Sequence, residues 1–137
     1  LIRLQTRGNA HVVNITDAVK NLVRAAETTN AVVVVFVTGS TAAVTTMEFE
    51  PGGVEDLRGL VDRQLPVARP GGGDYAHNVM NGDDNAHSHL RASLIGPSET
   101  IPLVEGHLAL GTWQQIVLID FDDRPRERTV TVQVLTG

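Results

Sequence analysis

Ala31-Val-Val-Val-Val-Phe-Val37 is the longest unbroken apolar run in the 137 residues, and its reading decides the fold. β-Branched residues without alternation predict a strand buried on both faces, so this run is expected at the centre of a sheet. Upstream, Leu1 to Arg7 alternates weakly and predicts a strand ending at Gly8-Asn9. Thr16 is a good N-cap, Asp17 suits a helix N-terminus, and Ala18, Val19, Leu22, Val23 and Ala26 recur at helical spacing. They predict a helix over 17–27.

Downstream, a turn at 38–41 precedes a second strand over 42–50, stopped by Pro51-Gly52-Gly53. Val54, Leu57, Leu60, Val61 and Leu65 then predict a helix closed by Pro66. A Pro- and Gly-rich loop containing Gly71-Gly72-Gly73 follows, then a short helix over 87–95 ended by Gly96-Pro97. Four strands are expected over 100–104, 107–110, 113–121 and 127–135, with Asp122 to Pro125 as a hairpin-like link that makes the last two antiparallel neighbours. Helices and strands do not alternate strictly. The expected fold is therefore α+β, a largely antiparallel sheet system with two to three packed helices, in one domain spanning 1–137.

Composition excludes several functions. The formal charge of −5 and pI near 5.4 argue against nucleic acid as a partner, because phosphate binding draws on clustered Lys and Arg. With no cysteine, thiolate metal sites and cysteine nucleophiles are ruled out. The longest apolar run is too short to cross a bilayer, so no membrane role is expected. The first residues do not read as a signal peptide, and the cytoplasm is the expected compartment. Ser40 and Thr41 follow a glycine, but there is no Gly-x-Ser-x-Gly elbow, which disfavours a serine hydrolase.

Chemistry concentrates between Asp74 and Leu90, where His77, His87 and His89 stand among Asp and Asn residues. On an extended backbone His87 and His89 share a face and suit a common metal ion; on a helix their rings diverge by about half a turn. Three imidazoles would leave a coordination position for water or substrate. The competing reading is of loop histidines hydrogen-bonded to the backbone or exposed. Glu48 and Asp84 are candidate bases or orienting groups, with capping and solvation as the alternative for Asp84. One of the adjacent pair Gln114 and Gln115 is expected to meet a buried site. Arg124, Arg126 and Arg128 suit either an anion or a solvated strand face. His11 and His107 are expected to be structural or exposed.

Several segments match a known pattern together: Gly39-Ser-Thr-Ala-Ala43 with Glu48 to Pro51, Tyr75-Ala-His77, and Asn85-Ala-His-Ser-His-Leu-Arg-Ala-Ser-Leu-Ile-Gly-Pro-Ser98. The match continues through Ile101-Pro102, Gly106, Leu110-Gly-Thr-Trp-Gln-Gln-Ile116, Arg126-Glu-Arg128 and Val132-Gln133-Val134. The chain resembles the YjbQ family over nearly its full length. That resemblance implies a compact α+β fold, a homotrimer, and a histidine-lined metal site near a subunit boundary with His77, His87 and His89 as ligands. The site read from residues and resemblance together is expected to take a small, phosphate-bearing ligand, with Ser40, Thr41 and Gln114 as binding residues and Glu48 or Asp84 as base or orienter. The implied reaction is a thiamine-phosphate synthase side activity, condensing a pyrimidine diphosphate with a thiazole phosphate and releasing pyrophosphate. Where some relatives carry a histidine before the Ser/Thr-Ala segment, this chain has Gly39. The implied cofactor is a divalent cation; imidazoles favour Zn²⁺ or a similar transition ion, whereas Mg²⁺, suited to pyrophosphate, prefers oxygen ligands. A non-catalytic trimeric module binding a metal or small ligand is the alternative from a different class.

Overall fold

The computed structural model describes residues 1–137 as two packed antiparallel sheets with four helices. The first sheet contains five strands in the order β1 (Ile2–Thr6), β8 (Arg126–Leu135), β3 (Ala31–Val37), β5 (Ser98–Val104) and β6 (His107–Leu108). The second contains three, β2 (His11–Asn14), β7 (Gln114–Asp120) and β4 (Ala42–Glu48). Helix α1 (Thr16–Ala25) follows β2, α2 (Pro51–Gln64) follows β4, and α3 (Ala76–Asn81) and α4 (Ala86–Ile95) precede β5. The architecture is the expected α+β type. No helix is long and apolar enough to cross a membrane.

Two apolar layers hold these elements together. Val33, Val35 and Val37 of β3, Ile101 and Leu103 of β5, and Val130 of β8 face Val44, Ile116 and Leu118 across the space between the sheets. Helix α1 adds Val19 and Val23 to this layer. On the other face of the smaller sheet, Ala43, Val117, Ile119 and Phe121 meet Val61 of α2 and Ala92 of α4. The strand buried on both faces is therefore β7, whose Ile116, Val117, Leu118 and Ile119 are all fully enclosed.

This corrects the expectation for the valine run. In β3 only alternate residues are buried, while Val32 and Phe36 are 43% and 42% exposed. A continuous apolar strand requires a cover on each face, and in the single chain only one face of the larger sheet is covered. A second correction concerns β7 and β8, which belong to different sheets: β7 pairs with β2 and β4, and β8 with β1 and β3. The link between them carries the chain from one sheet to the other. Asp122 accepts from the Asn9 N–H through its carbonyl and Phe121 N–H donates to Thr41, so the backbone is held in a corner, not a hairpin.

Other differences are local. The N-cap of α1 is Ile15; the Thr16 hydroxyl instead donates to Asn14 Oδ1 and accepts from the Ile116 N–H, pinning the helix start to β7. Pro51-Gly52-Gly53 opens α2, because Glu50 caps the Gly52 and Gly53 N–H groups and proline fits the first helical turn. Strand β2 and the six-residue helix α3 carried too little periodicity to be expected.

The contrast along β3 predicts a difference between two identical substitutions. Val35→Thr places a hydroxyl in the sealed layer and should cost about 1–3 kcal/mol of unfolding free energy. Val32→Thr, on the open face, should change the stability of the monomeric chain by less than about 0.5 kcal/mol in the same urea titration.

Candidate functional site

Helices α3 and α4 form a corner in which the first turn of α4 is fastened from several sides. Asn78 of α3 accepts the Ala86 N–H through Oδ1 at 3.0 Å, and its amide donates to Asp74 at 2.8 Å. From α4, the Arg91 guanidinium donates to the Leu65 carbonyl at 2.9 Å and to Asp62 at 3.2 Å, tying the helix to α2. Gly82, in the left-handed region at φ 61°, ends α3 and turns the chain toward α4.

Within this corner His77 and His89 lie side by side, with ring centroids 4.6 Å apart and planes tilted by 50°. His77 Nε2 is 3.2 Å from Asn85 Oδ1, an oxygen that can only accept, so the network assigns the proton to Nε2. The lone pair then rests on Nδ1, where Asn81 Nδ2 stands 3.4 Å away. His87 is two positions from His89 on a regular helix and faces inward, 3% exposed. Its Nδ1 is the one enclosed side-chain polar atom without a hydrogen-bond partner. Burial and then the Arg91 charge lower the His87 pKa, which keeps the ring neutral.

Beside this corner the inter-sheet link brings Asp123 against Asp84. The hydrogen bond to Asp84, then burial and the neighbouring carboxylates, raise the Asp123 pKa to about 6. Behind it lies a charge cluster. Arg128 donates from Nε and Nη2 to Asp120 at 2.7 and 2.9 Å, and from Nη2 to Thr41 at 2.7 Å. Thr6 also donates to Asp120. Thr41 donates to Asp122 at 3.2 Å, and Arg126 Nε donates to Asp122 at 2.7 Å. Burial works to raise both carboxyls, but these donors and backbone N–H groups overcome it. Asp120 is held below the ordinary range and Asp122 at about 2.

The expected site residues therefore fall into distinct places. His77 and His89 are together, and His87 is on the other side of the helix. No three His, Asp or Glu side chains in the chain converge on one point with metal-binding geometry. Asp84 joins the corner through Asp123. Thr41 is buried and its hydroxyl is occupied by Arg128 and Asp122, while Ser40 is exposed. Glu48 and Gln114 are register partners at the far end of β4, about 20 Å from Thr41 by strand rise. There Gln114 donates to Thr46 at 3.0 Å and accepts from the Gly111 N–H at 3.0 Å. His11 accepts from the Arg7 N–H at 3.0 Å, and burial with the Arg7 charge keeps it neutral, a structural role. A cleft of about 440 Å³ between α1 and the β5–β6 turn is lined by Lys20, Arg24 and His107 and includes none of these groups.

Sequence reading missed Asp120, Asp122, Asp123 and Arg128 as a group. The available signal was alternation: Asp120 and Asp122 end an apolar strand at period two, and Arg126 and Arg128 follow with the same period.

Fold and corner together define a class, a two-sheet α+β protein with a paired-histidine, carboxyl-lined corner where the sheets exchange the chain. A family model described as UPF0047 protein YjbQ-like matches residues 1–137, and the chain belongs to that family. A UPF0047 protein of Archaeoglobus fulgidus is 36% identical over 134 residues, covering 98% of each chain. A Mycobacterium tuberculosis relative is 35% identical over 130 residues, covering 92% of this chain and 90% of its own. Among solved structures, a protein of unknown function from Sulfolobus solfataricus aligns with a TM-score of 0.88 at 33% identity, covering 99% of this chain and 96% of its own. A Clostridium acetobutylicum member of the family aligns at 0.83 and 33% identity, over 98% and 100%.

The Asp84–Asp123 contact predicts a pH effect with a definite sign. A carboxyl raised from 3.8 to about 6 on folding contributes stability that is complete below pH 3.8 and lost as pH rises through 6. Asp84→Asn should remove that loss. In EDTA, its urea midpoint should match wild type near pH 4 and exceed it near pH 7; equal midpoints at both would place the carboxyls apart.

Proposed function

We propose that this protein is a metal-dependent enzyme acting on a small, phosphate-bearing ligand, with the ion held at His77 and His89. The supporting observation is the histidine pair itself. Two imidazoles lie side by side, and His77 Nδ1 has only the long 3.4 Å contact from Asn81 while Asn85 holds its Nε2–H, the arrangement by which an outer hydrogen bond orients a ligating imidazole. This donor set fits Zn²⁺ or a similar transition ion better than Mg²⁺. When bound, such an ion supplies Lewis acidity toward a phosphoryl or carbonyl oxygen.

The protein's own groups account for the remainder. Asp123, raised to about 6 beside Asp84, is the group that would exchange a proton with a bound ligand near that pH. His87, neutral and with Nδ1 unengaged, is a reserve acceptor on the inner side. It joins the ligand set only if the first turn of α4 unwinds, because on the helix it points away from His89. Ser40 is the exposed hydroxyl in the loop beside Asp122, and the family's condensation of two phosphorylated heterocycles is the candidate reaction. Glu48 and Gln114, at the far end of β4, have a role in this site only through a neighbouring copy.

Assembly as a homotrimer is part of the same reading. The outer face of the five-stranded sheet exposes Val32, Phe36, Val104 and Leu135, an apolar surface that a second copy would cover. Two measurements test the proposal. Elemental analysis of the purified protein should find a transition ion, lost in His77→Ala and His89→Ala; full metal content in a folded His89→Ala variant removes the pair from the site. Light scattering should give three times the 14.7 kDa chain mass, and Phe36→Asp should reduce it to the monomer; a monomeric wild type excludes the trimer.

A further inference from the structure

We propose that the Arg128 guanidinium and the Gly39–Ser40 turn above it form an oxyanion-binding subsite for a phosphoryl or carboxyl group. Arg128 is only 7% exposed, yet it is not fully engaged. Nε and Nη2 are committed to Asp120 and Thr41, and Nη1 makes no hydrogen bond within the chain. The sole sealed, unpartnered side-chain polar atom is His87 Nδ1, so Arg128 Nη1 is not fully sealed from solvent. Its two N–H groups are therefore free for an incoming acceptor.

Gly39 keeps the approach open. A Cβ at this position would lie 2.7 Å from Nη1, inside contact distance, and the backbone there has φ +130°. A glycine is thus required both by conformation and by the space over the guanidinium. Ser40 lies between Gly39, whose missing Cβ leaves the space over Nη1, and Thr41, which accepts from Nη2, and its exposed hydroxyl has no partner in the chain. It is positioned to add a donor to an anion on Nη1.

Electrostatics permit the anion. Arg128 and Arg126 balance Asp120 and Asp122, whose pairings are 2.7 Å contacts, so the cluster does not present an uncompensated negative charge. Asp120 fixes the guanidinium plane before any ligand arrives, which removes the ordering cost that a free surface arginine carries. Charge-assisted N–H donors in fixed positions are the usual recognition of phosphate and carboxylate oxygens.

The inference rests on the placement of Ser40 at the ligand site in the proposed function, but it does not need the metal. Its test uses the full-length, ¹⁵N-labelled chain in EDTA, titrated with inorganic phosphate and separately with acetate at constant ionic strength. Saturable shifts of the Gly39 to Thr41 amides and the Arg128 side chain are expected, and the tighter of the two anions names the group recognised. Gly39→Ala should weaken binding by about tenfold or more by filling the space. Ser40→Asp, at an exposed position that does not threaten folding, should do the same by placing its own carboxylate on Nη1. His89→Ala should bind the anion like wild type, which separates this subsite from the metal reading. Shifts confined to the Lys20 and Arg24 cleft, no saturable shift with either anion, or undiminished affinity in Ser40→Asp would overturn it.

Discussion

The buried contact between Arg128 and Asp120 is the constraint on which the site depends. Arg128 is on β8 in the larger sheet and Asp120 ends β7 in the smaller one, so the bidentate pair joins the sheets where the chain crosses between them. Thr6 from β1 and Thr41 at the start of β4 complete it. Charges this deeply enclosed are tolerated only when paired and hydrogen-bonded, and here nearly every polar atom is. Apolar side chains of similar volume would give comparable adhesion. They would not fix a corner, because only directional donors and acceptors set the angle at which β7, the link and β8 meet.

From that corner the rest of the site is positioned in order. Asp122 follows Asp120 and is held by Thr41 and Arg126, which aims Asp123 outward at Asp84. Asp84 directly precedes Asn85, whose side chain orients His77 and whose carbonyl accepts the first N–H groups of α4. The histidine pair and the charge cluster are thus connected through a short run of polar contacts. Such a run gives two adjacent chemistries: an imidazole surface suited to a transition ion, and a fixed guanidinium suited to an oxyanion.

Legibility followed the physics of each segment. The helical stripe from Val19 to Val23 and the glycine and proline stops were readable because periodicity and backbone restriction are local properties. The histidine cluster was readable as a concentration of chemistry, but not as a geometry. Whether His87 and His89 converge depends on whether Ala86–Ile95 is a helix, and the α-helical spacing separates them. Asp123 was invisible as a site residue because its partner is Asp84, distant in sequence and brought near only by the sheet crossing.

The sequence alone determined the α+β class and the family, since these rest on pattern, composition and motifs that need no partner in space. Tertiary structure decided which strand is buried twice. The valine run of β3 and the mixed run of β7 both read as core, and only the placement of α2 and α4 over the smaller sheet makes β7 the one covered on both faces. It also decided that Asp122 to Pro125 is a crossing between sheets, not a hairpin. A hairpin and a crossing present the same turn residues; what separates them is where Asp120 finds Arg128, a contact set by the packing of the two sheets.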